Sequence, residues 1–275
     1  MILDIDDSST VVGTVEAITK DWFDVRQLYW NLKDNGETES SHFWKNVDNH
    51  LLKIVSDNIG LLLDTFLHIW KEKCLKNDLK IMGYHCTRYH NKEDFKEQGI
   101  LPLTESIIDD FISETVSTFQ SFKLSHEQKR ELKEKIKEDD LWKYRSGKGA
   151  GPYFLVSYKD AQRPQNHFRK SGSEVLWSCA DVLIQYCQDE NISFPCSDRF
   201  KYRNIISEKL IPMIIHCTIP FSILPVPGID CYTYYMIIAY FNFIDPEEDL
   251  NNFFEGHSID LKGNSLDRQY IIKIE

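Results

Sequence analysis

The sequence predicts an α+β fold, in which helices dominate the first part of the chain and β-strands the last part. Apolar residues recur every three or four positions over 43–69, which is the spacing of one buried helix face. From Ile211 onward, β-compatible runs are separated by turn sequences at 225–228 and 262–264. Helices and strands that occupy separate parts of a sequence are typical of α+β proteins.

The composition indicates a folded, packed protein. The chain has 275 residues, of which 42% are hydrophobic and 13% aromatic, enough for one large domain or a domain with an accessory part. Its formal net charge of −11 argues against the overall basic surface that binds nucleic-acid backbones without specificity. A local basic site for nucleic acid remains open.

The seven cysteines indicate free thiols in a reducing compartment, because they are scattered, lie in apolar surroundings and form no CxxC pair. The acidic N-terminus lacks the basic and apolar segments of a signal peptide. The most apolar stretch, 59–70, is too short to cross a bilayer and contains Asp64 and His68. The nine histidines show no metal-ligand spacing. These features predict a cytoplasmic protein with neither a membrane segment nor a metal site.

Residues 1–77 are predicted to form a helical N-terminal accessory region, and residues 78–275 the core. The first forty residues are acidic and contain an aromatic cluster, which indicates one short helix with loose flanks. The apolar stripe then predicts a longer helix from Ser41 onward, with one face in the core.

The predicted core begins with a strand at 79–85. A short helix at 91–98 follows and ends at Gly99, since glycine favours the position after a helix. Residues 104–145 are predicted to be a helical insertion. It contains an amphipathic helix at its start and a highly charged, solvated helix at 125–140.

The second half of the core is predicted to contain most of the strands. A loop at 145–151 leads into a strand at 152–158, and residues 174–186 are compatible with either a strand end or a helix. Four further strands are predicted, at 212–219, 231–243, 258–261 and 269–274.

Two short segments carry residues from which a site can be built. Residues 83–88 read Gly-Tyr-His-Cys-Thr-Arg at the end of the first core strand, and residues 149–154 read Gly-Ala-Gly-Pro-Tyr-Phe. Taken singly, a histidine at a strand end or a Tyr-Phe pair in a strand is usually structural. The sequence contains no Walker-type phosphate loop, no HExxH zinc motif and no GxSxG elbow.

Together these segments resemble the ADP-ribosyltransferase superfamily, in the branch whose signature is His, Tyr and Glu on successive strands. There the first strand ends in His-Gly-Ser/Thr before a helix with Asn and Gly-Leu. Residues 85–88 and 91–100 are similar, with Cys86 in place of the glycine. The family's Gly-x-Gly-x-Tyr-Phe strand is similar to 149–154. The resemblance covers these windows and the strand-rich end, whereas the first eighty residues and 123–145 have no counterpart.

The resemblance implies a split, twisted antiparallel sheet that binds NAD as a substrate. His85 is expected to hydrogen-bond a ribose hydroxyl with Thr87 supporting the turn, and Tyr153 is expected to stack on nicotinamide. Arg88 and Arg145 are candidates to pair with the pyrophosphate. The residues expected around NAD are His85, Cys86, Thr87, Arg88, Gly151, Tyr153 and Gln269.

The family's catalytic carboxylate has two candidate positions in this chain. Alignment of 267–274 with the last strand of the poly(ADP-ribose) polymerases puts Gln269 at the glutamate position, which would weaken or abolish transfer. In the DNA-modifying toxins of the family the glutamate follows a Pro-aromatic-Phe segment, and Glu174 is in the similar place. A structural alternative is a capping box between Ser171 and Glu174. The residues predicted to be catalytic are Glu174, Tyr153 and His85.

The resemblance implies transfer of ADP-ribose from NAD to RNA, DNA or protein, in the setting of a toxin or a defence effector with an inhibitory, antitoxin-like partner. Two alternatives stay open. One is a catalytically inactive NAD-binding or protein-interaction module on the same fold. The other is an NAD hydrolase or an enzyme similar to RNA 2′-phosphotransferases.

Overall fold

The protein is described by a computed structural model, in which residues 1–39, 44, 49–146, 151–163, 166, 174–196, 198–225, 229–246 and 257–275 are placed. Within these residues the helices are α1 Ser8–Thr19, α2 Val25–Asp34, α3 His50–Asn58, α4 Leu63–Lys76, α5 Glu93–Gln98, α6 Ser106–Thr118, α7 His126–Glu138, α8 Asp140–Ser146, α9 Tyr158–Gln162, α10 Glu174–Asp189, α11 Arg199–Ser207 and α12 Ile229–Ile244. The strands are β1 Ile2–Leu3, β2 Lys80–Tyr89, β3 Tyr153–Leu155, β4 Ile211–Pro220, β5 Ser258–Asp260 and β6 Ile271–Ile274. The predicted α+β class is confirmed.

In the described part of the chain the strands form one six-stranded sheet in the order β5-β3-β2-β4-β6, and β1 pairs with β2. The β4–β6 pair is antiparallel, whereas the β1–β2 pair is parallel, with Ile2 opposite Lys80. The β4–β6 register shifts between His216 and Cys217. This order makes β2 and β3, which carry the two predicted site segments, neighbours in the sheet.

The chain divides into two compact units, and the first comprises Met1–Gly83, Leu155–Asp160 and Thr218–Ile259. Helix α12 is central to it and packs against α1, α3 and α4. Nine of the α12 residues from Tyr232 to Phe241 are buried, and they point to all sides of the helix. The long apolar helix is therefore enclosed by its own unit.

The second unit comprises Tyr84–Phe154, Ala161–Cys217 and Asp260–Glu275. Its buried centre, called here the helical cluster, is formed by side chains from α6, α7, α8, α10 and α11 together with flanking segments. Aromatic rings and thiols fill it. The buried hydroxyls of Thr115 and Tyr202 also form a hydrogen bond of 2.6 Å there. The predicted domain limits at residues 77 and 78 stay a prediction.

The predicted strand at 231–243 is wrong, because this segment is part of α12. Its β-branched and aromatic residues are typical of strands, and a continuous apolar run has no polar face that would reveal the period of 3.6. The length of the run favours a helix, since strands in globular proteins are usually 3–10 residues long. The segment at 174–186, which was compatible with two states, is helical and lies within α10.

The predicted continuous helix from Ser41 is also wrong over its described part. Residues 40–43 and 45–48 lie outside the described residues, and the remainder forms two helices, α3 and α4. The break occurs at Gly60, whose φ of +74° belongs to the left-handed region that ends helices. The first forty residues contain β1, α1 and α2 rather than a single helix.

Other predicted elements are confirmed with shifted ends. Strand β2 extends the predicted 79–85 strand to Tyr89, and α5 ends before Gly99 with a φ of +79° at that glycine. An added Cβ at Gly99 would collide with the backbone of Leu266 and Arg268, so only glycine fits there. The charged segment at 125–140 forms α7 and the start of α8. No helix in the described residues combines the length and apolarity needed to cross a bilayer.

Candidate functional site

The candidate site is built on the parts of β2 and β3 that belong to the second unit, where the side chain of His85 reaches the backbone of Tyr153. The Nδ1 atom of His85 lies 2.9 Å from the carbonyl oxygen of Tyr153. The imidazole also contacts the ring of Phe154, with 5.5 Å between the ring centroids. The two predicted segments thus meet through one hydrogen bond and one ring contact across neighbouring strands.

This hydrogen bond determines the protonation pattern of His85. A carbonyl oxygen can only accept, so Nδ1 must donate, and in the neutral ring Nε2 then carries the lone pair. Burial lowers the pKa of His85 from 6.5, while the hydrogen bond to Tyr153 opposes that change. A neutral imidazole with an accepting Nε2 is the expected form at neutral pH.

The side chain of Tyr153 is half-buried and lies under a cation. The guanidinium carbon of Arg145 is 4.9 Å from the centroid of the Tyr153 ring, within the range of a cation–π interaction. Burial raises the pKa of the Tyr153 hydroxyl, the charge of Asp260 raises it further, and Arg145 lowers it. The phenol is therefore neutral and lies between opposite charges.

Arg145 also connects this ring to Glu174. Its Nη2 donates to Oε2 of Glu174 at 2.6 Å, and both side chains are largely buried, with exposed fractions of 21% and 33%. Arg145 is near the C-terminal end of α8, and Glu174 is the first residue of α10. The predicted loop at 145–151 is therefore helical at its first two residues, and 147–150 lie outside the described residues.

Glu174 thus lies at a helix N-terminus, where the helix dipole favours an acidic side chain. The alternative capping box involves Ser171, which lies outside the described residues. The three residues predicted to be catalytic lie in one series of contacts. His85 hydrogen-bonds the backbone carbonyl of Tyr153, the Tyr153 ring contacts Arg145, and Arg145 pairs with Glu174.

The other predicted NAD contacts on β2 divide between the two faces of the strand. Because side chains alternate along a strand, His85 and Thr87 share one face, and Cys86 and Arg88 share the other. The thiol of Cys86 is buried near the carbonyl of Ala161. Arg88 donates from Nη2 to the Leu210 carbonyl at 3.2 Å, and burial lowers its pKa. The structure does not bring Arg88 to the His85 face.

Gly151 and Gln269 lie in different surroundings. Gly151 has a φ of +52°, and an added Cβ would lie 3.3 Å from the Tyr153 ring, so its lack of a side chain leaves room for that ring. Gln269 is exposed in a short 3-10 helix before β6, where its backbone N–H donates to the Asp267 carboxylate. None of the described contacts joins Gln269 to the series from His85 to Glu174.

Two residues that the sequence interpretation did not select also border Tyr153. Asp260, at the end of β5, acts on the Tyr153 hydroxyl through its charge, and Lys262 forms an ion pair of 2.7 Å with Asp260. Backbone pairing places them there, since the N–H of Leu261 donates to the Pro152 carbonyl at 3.1 Å. No local sequence signal marks this pairing, because it depends on which strand lies beside β3.

The described residues contain no group of three or more His, Cys, Asp or Glu side chains arranged to hold a metal ion. All seven cysteines are free thiols, and six of them are buried. The side chains described at this site supply an imidazole, a phenol, a guanidinium and carboxylates.

No protein-family model matches this chain, and neither a curated protein nor a solved structure matches it.

Proposed function

We propose that this chain binds NAD at the β2–β3 site and transfers its ADP-ribose to a macromolecule. The observation that carries the proposal is the series His85–Tyr153–Arg145–Glu174, which joins the residue types of an ADP-ribosyltransferase site within one unit. The chain's resemblance to that family depends on two windows that meet on neighbouring strands.

The state of His85 suits a ribose contact. With Nδ1 held by the Tyr153 carbonyl, Nε2 can accept a hydrogen bond from a sugar hydroxyl. The half-buried position keeps the imidazole neutral, because burial lowers its pKa. A protonated ring would lose this acceptor, so the burial of His85 supports the proposed role.

Tyr153 offers a ring face of the right kind for nicotinamide. The face that Arg145 covers already holds a cation, and the nicotinamide ring of NAD also carries a positive charge. The two cations would repel each other on one face. We therefore expect NAD to displace Arg145 from that face, which would free Arg145 for the pyrophosphate and release Glu174 from its ion pair.

The released carboxylate of Glu174 then has a role in the reaction. Loss of nicotinamide leaves a ribose with oxocarbenium character, and a nearby carboxylate stabilises that charge as it develops. The interaction is strongest in the transition state, so it contributes to the rate more than to NAD affinity. Arg145 is the group that determines whether Glu174 is neutralised or available.

The ion pair also favours a second candidate, an inactive NAD-binding or interaction module. If Arg145 stays on Glu174 when NAD binds, the carboxylate remains neutralised and the site holds the ligand without turnover. The two candidates predict different fates for NAD and the same initial binding.

The test is NAD turnover by the purified chain, with and without cell extract, using NAD labelled in its adenylate part. Label transferred to a macromolecule supports the proposal, and free labelled ADP-ribose would indicate a hydrolase. The matched control is Glu174→Gln, which keeps the size of the side chain and removes its charge. NAD binding without turnover in the unmodified chain would overturn transfer and support the inactive module.

A further inference from the structure

We infer that the second unit binds single-stranded nucleic acid along one face of α10, beginning beside Glu174. The statement that nucleic acid is the acceptor of ADP-ribose rests on the proposed function. The statement that this surface binds nucleic acid rests only on the contacts of the surface itself.

The surface is formed by three arginines that lie along α10. Arg145 pairs with Glu174, Arg203 covers the ring of Trp177 at 4.0 Å, and Arg199 pairs with Asp181 at 2.8 Å. The residues at 174, 177 and 181 are three and four positions apart, so they share one helix face. At 1.5 Å per residue, this arginine row extends roughly 10 Å from Glu174 along the helix axis.

The far end of the arginine row contains the cations of α11. This helix reads Arg-Phe-Lys-Tyr-Arg-Asn-Ile-Ile-Ser and contains three cations and no acidic residue, with Asp198 before it and Glu208 after it. The whole chain has a formal net charge of −11. A basic helix on such a background offers a local site for phosphates without a general affinity for polyanions.

An exposed aromatic ring lies among these cations. The Phe200 side chain is 54% exposed, with the guanidinium carbon of Arg199 at 5.0 Å and that of Arg203 at 6.0 Å from its ring. An aromatic ring flanked by cations is the arrangement with which proteins hold unpaired bases, since the base stacks while the cations contact the backbone. Bases of a duplex are covered by their neighbours, so the ring favours a single strand.

Arg203 and Arg199 can bind phosphates with little loss of folding stability. The guanidinium of Arg203 lies over the indole face, so its N–H donors point outward in the plane of the group. Arg199 and Asp181 form an exposed pair, with side chains 51% and 46% exposed, and such pairs contribute little to stability. A phosphate can therefore replace Asp181 as the partner of Arg199.

The experiment measures binding of the full chain to fluorescein-labelled 12-residue oligothymidine and oligouridine and to a 12-base-pair duplex, in the absence of NAD. We expect the single strands to bind more tightly than the duplex. With the three cations of α11 engaged, the slope of log K against log salt is expected to be about −2. Comparable binding of both single strands would show that the surface recognises chemistry common to DNA and RNA. Tighter binding of one of them would identify DNA or RNA as the natural ligand.

Two variants test the named residues. Phe200→Ala is expected to weaken binding about 5- to 150-fold, the range for loss of one stacked base. Arg203→Gln is expected to make the salt slope about 0.7 shallower. The control is Arg130→Gln, which removes an exposed arginine of α7 that pairs with Glu127. A thermal melt of each variant separates loss of binding from loss of folding.

The inference is overturned if neither single strand binds, if the duplex binds as tightly, or if Arg130→Gln weakens binding as much as Arg203→Gln. Equal competition by polyglutamate would also overturn it, because that result would indicate an acidic protein partner. Oligonucleotide binding by a chain that does not consume NAD would overturn the proposed function and keep this surface. NAD turnover without oligonucleotide binding would overturn this binding surface and keep the proposed function.

Discussion

Two regions of the second unit are packed in opposite ways. The site region, around Tyr153 and Arg145, contains half-buried polar side chains that are joined by charge and hydrogen bonds. The helical cluster contains fully buried rings such as Phe122, which is 1% exposed and lies 4.7 Å from the ring of Phe194. The first arrangement keeps polar groups within reach of a ligand, and the second removes apolar area from water.

This contrast predicts whether a substitution in each region lowers stability or lowers ligand binding. Burial of a large apolar side chain contributes about 1.5–3 kcal/mol to folding, whereas a partly exposed ion pair contributes about 1 kcal/mol or less. Changes in the helical cluster should therefore lower the stability of the chain. Changes in the site region should lower NAD binding or turnover and leave the fold nearly intact.

The largest effect is expected in the helical cluster. Phe122→Ala should lower the free energy of unfolding by about 3–5 kcal/mol, because it removes a buried ring and leaves a cavity. Chemical denaturation measures the loss, and Phe122→Leu, which leaves a smaller cavity, is the matched control. A loss below about 1 kcal/mol would show that this region is not a packed core.

The next effect is expected at Glu174. Glu174→Gln should lower transfer about 10²- to 10³-fold, the range for loss of one electrostatic stabiliser in a transition state, while NAD binding survives. Gln269→Ala should cost far less, since no described contact joins Gln269 to the site. Transfer and melting temperature are measured for both variants.

The opposite outcome at Glu174 would also be informative. If Gln269→Glu raises activity and Glu174→Gln mainly lowers the melting temperature, Gln269 occupies the catalytic position. Loss of a capping interaction costs about 1 kcal/mol, which is visible in a melt and too small to imitate a catalytic defect. Normal transfer by Glu174→Gln would end the assignment of this residue.

A smaller effect is expected from NAD itself. A ligand that binds only the native state adds about 2.7 kcal/mol of stability at a hundredfold excess over Kd. His85→Ala and Tyr153→Ala should remove most of this gain and change the ligand-free melt little. The control is His90→Ala, which removes an exposed imidazole outside the series. A large loss of ligand-free stability in both site variants would favour a structural role.

The smallest effect is a pH dependence that comes from His85. Burial lowers its pKa below 6.5 in the folded chain, so the unfolded chain binds the proton first as the pH falls. Its contribution to stability is therefore present above about pH 6.5 and is lost as the pH falls toward the folded pKa. NAD affinity should be constant above the pKa of His85 in the folded chain and should decrease below it, because protonation removes the acceptor at Nε2.

This pH effect is measured as a difference between the unmodified chain and His85→Gln, so that any pH dependence that does not come from His85 cancels. The variant should lose the acid-side decrease in both stability and NAD affinity. An unchanged decrease in the variant would show that another group is responsible.

Much of the fold was predictable from local patterns. The end of α5 at Gly99 follows from a residue that accepts a left-handed conformation, and β2 follows from a β-compatible run after a turn. The strands β4 and β5 were predicted for the same reason. Helix α12 was not, because an apolar run without a polar face has the same pattern in a buried helix and a buried strand.

The sequence predicted several residues of the site, and it did not predict the contacts between them. His85, Tyr153 and Glu174 were selected from resemblance. The structure links the Tyr153 ring to Glu174 through Arg145, for which the sequence suggested only a phosphate contact, and joins His85 to the Tyr153 backbone. Asp260 was not predicted as a site residue, because nothing near it in the sequence indicates that it lies close to Tyr153.

The α+β class, the ends of several elements and the residue types available for chemistry follow from the amino-acid sequence, because these depend on interactions between near neighbours along the chain. The three-dimensional structure was needed to show that 231–243 is part of a largely buried helix, that Arg145 contacts both Tyr153 and Glu174, and that β5 brings Asp260 to β3. Burial and charge pairing act over distances in space, and the same side chains placed on other strands would have different neighbours and different pKa values.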